Sequence, residues 1–126
     1  MNTLENIIEK AKVARRRIVL AEGEEPRVIE AAVRAKRTLL AEPILIGREN
    51  SVKDWIEKFD VSPNDFEIID PRKSTCLEKY ASEYAVLRKN RPISIQEARN
   101  KVIEPLNFAA MMVRMRDADG TIGGAV

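Results

Sequence analysis

Histidine is absent from the 126-residue sequence, cysteine occurs once, and the aromatic residues are one tryptophan, two tyrosines and three phenylalanines. The absence of histidine excludes histidine-based triads, histidine metal sites and histidine acid–base pairs within this chain. The lone thiol, Cys76, excludes an internal disulfide framework and a cysteine-rich zinc site. We therefore expect no metal site built on histidine or on several cysteines in these residues.

Long apolar segments are also missing. The longest uninterrupted apolar run, Phe108 to Val113, is far shorter than the roughly 20 residues that span a bilayer. The first ten residues carry Glu5, Glu9 and Lys10 where a signal peptide needs an apolar segment. We therefore expect no membrane association, and a cytoplasmic location, because a single thiol is ordinary in a reducing compartment.

The sequence has no large excess of charge of one sign, because it contains 22 Lys or Arg and 20 Asp or Glu, which gives a net charge of +2. The basic excess lies near the N-terminus, between Lys10 and Arg17. No aromatic side chain lies within that cluster, so nucleic-acid bases have no stacking platform there. A solvated surface is favoured over a nucleic-acid site, and we expect no nucleic-acid partner.

What the sequence does contain is an alternation of short apolar runs with longer amphipathic stretches, which predicts a parallel sheet covered by helices on both faces. The predicted strands are Arg17–Ala21, Pro43–Ile46 and Phe66–Ile69. The predicted helices are Asn2–Ala14, one that begins at Pro26, Ser51–Phe59, one after Thr75, one after Ser94, and Leu106–Met115. The final segment resembles a strand followed by two glycines, an unusual place for a domain to stop, so we expect a longer parent protein.

Several local patterns refine this prediction. Leu39 and Leu40 continue the apolar face of the helix that begins at Pro26. The stretch Leu106–Met115 is apolar on nearly all sides, which is typical of a buried helix. Capping boxes, in which a hydroxyl and a carboxylate satisfy free N–H groups, predict two helix starts: Thr75-x-x-Glu78 and Ser94-x-x-Glu97.

The segment Leu20–Val28 runs from a strand through a glycine turn into a helix N-terminus. Backbone N–H groups and the helix dipole make such a turn a possible anion site. The three acidic residues Glu22, Glu24 and Glu25 argue against a phosphate directly on it. The alternative is a tight strand-to-helix loop, which is the favoured interpretation because the anion site would rest on one glycine.

A second candidate is the cation cluster Arg88, Lys89 and Arg91 at the end of a predicted helix. The planar guanidinium of arginine suits phosphate oxygens. The residues alone modestly favour the alternative, a charged helix end that complements the helix dipole.

The C-terminal segment holds a carboxylate and closely spaced glycines, which permit close approach of backbone to a ligand. This combination suits the edge of a cleft. It does not match the dinucleotide-binding fingerprint, because the glycine spacing differs. The candidate residues are Asp119, Gly120, Gly123 and Gly124.

Taken in order, five segments of the chain resemble the phosphate acetyltransferase family, which also includes phosphate butyryltransferases. The ending with ADG followed by GGA resembles the acetyl-transferring branch. No single segment is specific, but five in the right order across nearly the whole chain are. They are IVLAEGEEPRVIEAA, EPILIG, IIDP, YAVLRK and AAMMVRMRDADGTIGGA.

The resemblance implies an α/β/α sandwich with a mostly parallel sheet, similar to isocitrate and isopropylmalate dehydrogenases, in a two-domain and usually dimeric protein. It implies transfer of acetyl between coenzyme A (CoA) and inorganic phosphate. It also implies no metal, no redox cofactor and no tightly bound cofactor, since CoA or acetyl-CoA is a substrate. In such enzymes a carboxylate is thought to deprotonate the CoA thiol, while Arg and Ser groups bind phosphate and stabilise the oxyanion.

Residue by residue, the resemblance assigns Arg88 to a CoA-phosphate contact and the segment of Asp119, Gly120, Gly123 and Gly124 to the cleft. The family's catalytic residues lie beyond Val126, and family members are more than twice this long. Residues 1–126 therefore correspond to part of the first domain, and we expect the isolated chain to be inactive. An alternative is a non-catalytic CoA-binding or regulatory domain, as in family-like domains fused to malic enzymes.

Overall fold

The computed structural model describes residues 3–122. They form an α/β fold with a four-stranded, entirely parallel sheet. Two short 3-10 turns, Pro63–Asp65 and Pro71–Lys73, flank the third strand. In chain order the helices and strands are α1 (Thr3–Ala14), β1 (Arg17–Leu20), α2 (Pro26–Arg37), β2 (Glu42–Ile46), α3 (Glu49–Glu57), β3 (Glu67–Ile69), α4 (Leu77–Leu87), α5 (Ile95–Val102), α6 (Pro105–Arg114) and β4 (Gly120–Ile122).

The strand order across the sheet is β3-β2-β1-β4. The chain builds the sheet in one direction from β1 to β3, then returns through three helices to place β4 on the other side of β1. Ile18 pairs with Gly120 and Leu20 with Ile122, so β4 runs alongside the whole inner part of β1. The return creates a point between β1 and β4 where the strand order reverses.

Helices cover both faces of the sheet, as the alternating pattern predicts. Alternation along β2 sends Leu45 to one face and its neighbours Ile44 and Ile46 to the other. One core packs α2 and α3 against the first face: Leu20, Ile29, Ala32, Val33, Leu45, Val52, Ile56 and Phe66. The other packs α4, α5 and α6 against the second: Val19, Ala21, Ile44, Ile46, Tyr80, Val102, Phe108, Ala109, Met111, Met112 and Ala118.

The predicted inner face of α2 is confirmed at its centre and wrong at its end. Ile29, Ala32 and Val33 are buried, whereas Leu39 and Leu40 are exposed. The reason is that the helix ends at Arg37, and Leu39 adopts a left-handed backbone conformation with φ 59°. The chain therefore turns away before the helical face can continue.

The hydroxyl hydrogen bond of one predicted capping box forms, and that of the other does not. The Ser94 hydroxyl accepts a hydrogen bond from the Glu97 N–H at 3.1 Å, as predicted. At the start of α4 the prediction is wrong, because the helix begins only at Leu77 with no side-chain cap. Glu78 is held instead by Arg99 of α5, whose Nε lies 2.6 Å from a carboxylate oxygen.

Helix α6 departs from the expected burial on one side. Phe108, Met111 and Met112 are buried, but Leu106 is 54% exposed and Ala110 is exposed as well. The prediction of a helix buried all round is therefore wrong for the described chain. Leu106 and Ala110 are therefore apolar residues of α6 that do not pack in either core.

Candidate functional site

The reversal of strand order between β1 and β4 marks the candidate site. In open parallel sheets, ligands bind beyond the carboxyl ends of the strands, where the strand order reverses. At that end β1 continues into Ala21–Glu25, and β4 ends at Ile122, whose C=O accepts a hydrogen bond from Ala21 N–H at 3.1 Å. The topology thus places the end of β4 beside the residues that lead from β1 into the glycine turn.

The glycine turn is packed tightly against the end of β2. Gly23 N–H donates to the C=O of Ile46 at 2.9 Å, and a Cβ on Gly23 would lie only 2.6 Å from that oxygen. The need for glycine here is explained by backbone packing. This contact favours the interpretation of Leu20–Val28 as a tight loop.

A carboxylate of the same loop occupies the N-terminus of α3. Glu24 accepts hydrogen bonds from the Arg48 guanidinium, at 2.8 Å, and from the Arg48 backbone N–H, at 3.3 Å. The hydrogen bond from Arg48 lowers the pKa of Glu24 below its ordinary value. Gly47 makes room for this contact, since a Cβ there would lie 2.9 Å from both Glu24 Cγ and Val52 Cγ2.

Of the predicted cleft segment, Asp119 and Gly120 lie within the described residues. Asp119 lies at the amino end, where its carboxylate accepts a hydrogen bond from the Arg17 N–H at 2.8 Å. Gly120 begins β4, and a Cβ there would lie 3.3 Å from the flexible end of Ile18. Gly123 and Gly124 lie outside the described residues. The role of all four residues in a cleft therefore stays a prediction.

Arg88 lies in a separate pocket between α4 and α5. It is the C-terminal cap residue of α4. Its guanidinium carbon is 5.9 Å from the centre of the Tyr84 ring, and one nitrogen is 3.5 Å from the Tyr84 hydroxyl. Of the three clustered cations, Lys89 and Arg91 are exposed while Arg88 is partly buried. The pocket encloses about 220 Å³ and is lined by Tyr84, Arg88, Ile93, Glu97, Asn100 and Lys101.

No ion pair joins Arg88 to a carboxylate within residues 3–122. Its charge is therefore available to an anion, while the Tyr84 ring restricts the guanidinium. Lys101 is a second cation on the same pocket. The arrangement is suited to a phosphate group, which accepts the forked hydrogen bonds of arginine.

A larger open pocket at the carboxyl ends of β2 and β3 was not predicted. It encloses about 580 Å³, and its lining includes Arg48, Asp70, Arg72 and Lys73. The sequence signal was present, because these residues directly follow the apolar runs of β2 and β3. The pocket mixes cations with carboxylates, and one of its cations, Arg48, is already paired with Glu24.

Two arginines of the basic cluster near the N-terminus form ion pairs with strands of the sheet. Arg17 forms a two-pronged ion pair with Glu67 of β3, at 3.1 and 3.2 Å, and Arg15 lies 3.8 Å from Glu42 of β2. These contacts favour the surface interpretation over a nucleic-acid site.

A buried tyrosine forms the other notable polar contact. The Tyr80 hydroxyl donates a hydrogen bond to the Asp117 carboxylate. Burial and this hydrogen bond raise the pKa of Tyr80 well above its ordinary value. Tyr80 therefore stays protonated at neutral pH and has no use as a general base.

The part of the chain that is described holds no grouping of three acidic or cysteine side chains arranged to bind a metal ion. Among its helices, none has the length and apolar character to cross a bilayer. What the arrangement can do chemically is bind an anion at Arg88 and hold carboxylates at the carboxyl end of the sheet.

Comparison with known proteins gives this geometry a context. The chain is 38% identical over 126 residues to the phosphate acetyltransferase of Thermoanaerobacterium thermosaccharolyticum, which is all of this chain and 38% of that protein. It is 36% identical over 124 residues to the NADP-dependent malic enzyme of Escherichia coli, covering 95% of this chain and 16% of that one.

Solved structures agree with the fold. A phosphotransacetylase from Streptococcus pyogenes superimposes with a TM-score of 0.90 at 29% identity, over 100% of this chain and 39% of that one. The chain thus spans well under half the length of the phosphate acetyltransferases that it resembles. The model of the family described as phosphate acetyl/butaryl transferase matches residues 2–126, and the chain belongs to this family.

Proposed function

We propose that the protein containing this chain is a phosphate acetyltransferase, which transfers an acetyl group between CoA and inorganic phosphate. The observation that carries the proposal is the family match over residues 2–126, together with relatives named phosphate acetyltransferase. The reaction and its catalytic groups belong to the complete protein. This chain contributes part of the CoA-binding surface.

In the proposed reaction, the CoA thiol loses its proton and the sulfur attacks the carbonyl carbon of acetyl phosphate. A carbon–sulfur bond forms, the carbon–oxygen bond to phosphate breaks, and inorganic phosphate leaves with the bonding electrons. The reverse reaction makes acetyl phosphate from acetyl-CoA. A carboxylate that accepts the thiol proton and donors that stabilise the oxyanion lie outside this chain in the proposal.

The proposed role of Arg88 is to bind a phosphate group of CoA. Support comes from its partial burial, from the Tyr84 ring beside its guanidinium, and from the lack of a carboxylate partner within residues 3–122. A charged hydrogen bond of this kind contributes about 1–3 kcal/mol to binding. The proposed substrates are CoA or acetyl-CoA and phosphate. The proposed assembly of the complete protein is a homodimer.

The test is a thermal melt of the 126-residue chain with CoA and, separately, with pantetheine, which lacks the phosphates. At CoA concentrations about a hundredfold above the dissociation constant, we expect Tm to rise by about 5–10 °C. Pantetheine should raise it much less, because Arg88 would have no phosphate to bind.

The matched variants are Arg88→Ala and Arg91→Ala, which remove a partly buried and an exposed cation of the same cluster. We expect the first to weaken CoA binding about 5- to 150-fold, the equivalent of about 1–3 kcal/mol, and the second to have little effect. Equal responses to CoA and pantetheine, or equal losses in the two variants, would contradict the assignment of Arg88.

A second candidate function is a non-catalytic domain that binds CoA or acyl-CoA and regulates an attached enzyme. The similarity to a malic enzyme supports it. An assay of the complete protein separates the two candidates: acetyl-CoA formation from acetyl phosphate and CoA supports the transferase, whereas CoA binding without turnover supports the regulatory domain.

A further inference from the structure

We propose that Lys101 is a modification site, at which acetyl phosphate bound by Arg88 transfers its acetyl group to the lysine amine. This site rests on the proposed function, because that reaction makes or consumes acetyl phosphate. An acyl phosphate joins an anionic group, which arginine binds, to a carbonyl carbon, which an amine attacks. Arg88 and Lys101 offer these two partners on the walls of one pocket between α4 and α5, which we call the Arg88 pocket.

Arg88 provides the binding half of the site. Its guanidinium lies beside the Tyr84 ring, and no carboxylate pairs with it within residues 3–122. In the proposed function this guanidinium binds a phosphate of CoA. When CoA is absent, the same charge is open to the phosphate of a smaller molecule, because the forked donors of arginine recognise the phosphate oxygens.

The size of the pocket limits the donor. The Arg88 pocket encloses about 220 Å³, which is less than the roughly 300–1,000 Å³ of pockets that hold drug-sized ligands. A phosphate with one small substituent fits such a space, whereas CoA can place only part of its length there. Acetyl phosphate therefore brings its carbonyl carbon into the pocket together with its phosphate, and acetyl-CoA does not.

Lys101 provides the nucleophilic half. Its side chain is exposed, and among the described residues it forms no ion pair with a carboxylate. Other lysines of the chain are tied to carboxylates: Lys36 lies 2.8 Å from Glu42 and Lys53 lies 2.8 Å from Glu49. The Lys101 amine is thus free to turn towards a ligand in the pocket.

The helix that carries Lys101 is fixed against the helix that carries Arg88. Ala98 and Val102, which flank Lys101 on the inner side of α5, are 0% exposed. Arg99 joins α5 to Glu78 of α4 through two hydrogen bonds of 2.6 and 2.9 Å. The backbone at Lys101 is therefore held at the wall of the pocket, and only the side chain has to move.

The chemical step is an acyl transfer to nitrogen. The lone pair of the unprotonated Lys101 amine attacks the carbonyl carbon of acetyl phosphate. A carbon–nitrogen bond forms, the carbon–oxygen bond to phosphate breaks, inorganic phosphate leaves with the bonding electrons, and the amine proton passes to solvent. Arg88 holds the donor next to the amine, so the step gains the advantage of proximity over an encounter in solution.

The product changes the pocket. Acetylation removes the positive charge of a lysine, so the Arg88 pocket loses its second cation. Binding of a CoA phosphate there should weaken as a result. Accumulated acetyl phosphate would in this way reduce the affinity of the chain for CoA.

The test compares Lys101 with Lys89 in the 126-residue chain. Lys89 is exposed and follows Arg88 in sequence, but it is not among the residues that line the pocket. Mass spectrometry of peptides measures the rate of acetylation at each lysine with acetyl phosphate and, separately, with acetic anhydride, which has no phosphate. We expect the ratio of Lys101 to Lys89 to be at least about fivefold higher with acetyl phosphate, because only this donor is held by Arg88.

Two further arms test the dependence on Arg88. Arg88→Gln should lower the ratio to its value with acetic anhydride, whereas Arg91→Gln, which removes an exposed cation of the same cluster, should leave it unchanged. Excess inorganic phosphate should have the effect of Arg88→Gln in the unmodified chain, which covers the case of a variant that fails to fold. The same ratio with both donors, or a preference for Lys101 that excess phosphate does not reduce, would overturn the proposal.

The effect on CoA is measured by thermal melts with CoA. Lys101→Gln should weaken CoA binding at least about threefold, because it lacks the cation, and Lys101→Arg should restore it. Equal CoA binding in the two variants would overturn the effect of the modification on CoA.

Acetylation is read without turnover, so it can fail separately from the proposed function. No preference for Lys101, in a protein whose complete form makes acetyl-CoA, would overturn the modification site alone. A preference for Lys101, in a protein whose complete form makes no acetyl-CoA, would support the site and overturn the transferase.

Discussion

The two faces of the sheet are covered by helices of different character. On the first face, α2 turns Ile29 and Val33 inward and its charged residues, such as Arg34, outward, so the layer ends in solvent. On the second, α6 buries Phe108 and still presents Leu106 to solvent. The difference teaches that the helices on the first face end in a charged surface, whereas α6 on the second face leaves an apolar side chain exposed.

Each face also has a side-chain polar contact that joins two parts of the chain. Near the first face, Glu24 and Arg48 join two loops in an ion pair whose arginine is largely exposed. On the second, Tyr80 and Asp117 form a partly buried hydrogen bond. Burial decides how much such contacts contribute, because water screens an exposed pair and competes for its hydrogen bonds.

The largest expected effect comes from the core of the second face. Phe108 is 1% exposed and lies 5.0 Å from the Tyr80 ring, centre to centre. Phe108→Ala should lower the free energy of unfolding by about 3–5 kcal/mol in urea denaturation, because it leaves a cavity. The control on the same helix, Leu106→Ala, should cost under about 1 kcal/mol.

Equal losses at these two positions would contradict the described orientation of α6. They would also remove the contrast between the faces, since both sides of the helix would then be packed within the short chain.

An intermediate effect is expected from the hydrogen bond between Tyr80 and Asp117 on the second face. Tyr80→Phe leaves the Asp117 carboxylate without its tyrosine donor and should cost about 1–2 kcal/mol of unfolding free energy. Tyr84→Phe is the matched control, because the Tyr84 hydroxyl makes only a 3.5 Å contact with Arg88. Urea denaturation measures both variants, and a larger loss at Tyr84 would contradict this ranking.

The smallest effect concerns the exposed ion pair between Arg48 and Glu24 near the first face. The hydrogen bond from Arg48 lowers the pKa of Glu24, so the pair stabilises the fold above the ordinary glutamate pKa. That contribution is lost as the pH falls through the lowered pKa. Arg48→Gln should move the pKa of Glu24 back up towards its ordinary value in a carboxyl-carbon NMR titration.

The control for this titration is Arg34→Gln, which removes the partner of Glu30 on α2 and should leave Glu24 unchanged. If the pKa of Glu24 is the same in Arg48→Gln as in the unmodified chain, the ion pair is absent in solution.

Local patterning predicted most of the elements and missed several of their ends. The run RIVLA predicted β1 to within one residue, because parallel strands buried on both faces are continuously apolar. The Thr75 capping box did not form because α4 begins only at Leu77, and the Glu78 carboxylate is paired with Arg99, which is distant in sequence. The prediction that Leu39 continues the buried face of α2 was wrong, because Leu39 itself has a left-handed backbone conformation that redirects the chain.

The candidate site shows the same division. The sequence singled out Arg88 by its charge, but only the structure shows that Tyr84 lies beside it and that Lys101 joins the same pocket. The cations beyond β2 and β3 were overlooked, since their meaning depends on the two strands being neighbours.

The sequence by itself determined the class of fold, the helices and strands, and the family, because these follow from apolar periodicity and from ordered local motifs. Only the tertiary structure decided the strand order β3-β2-β1-β4, the position of Asp119 at the amino end of the sheet, and the exposure of one side of α6. The physical reason is that strand pairing and burial are contacts between distant parts of the chain, which local patterns permit but do not select.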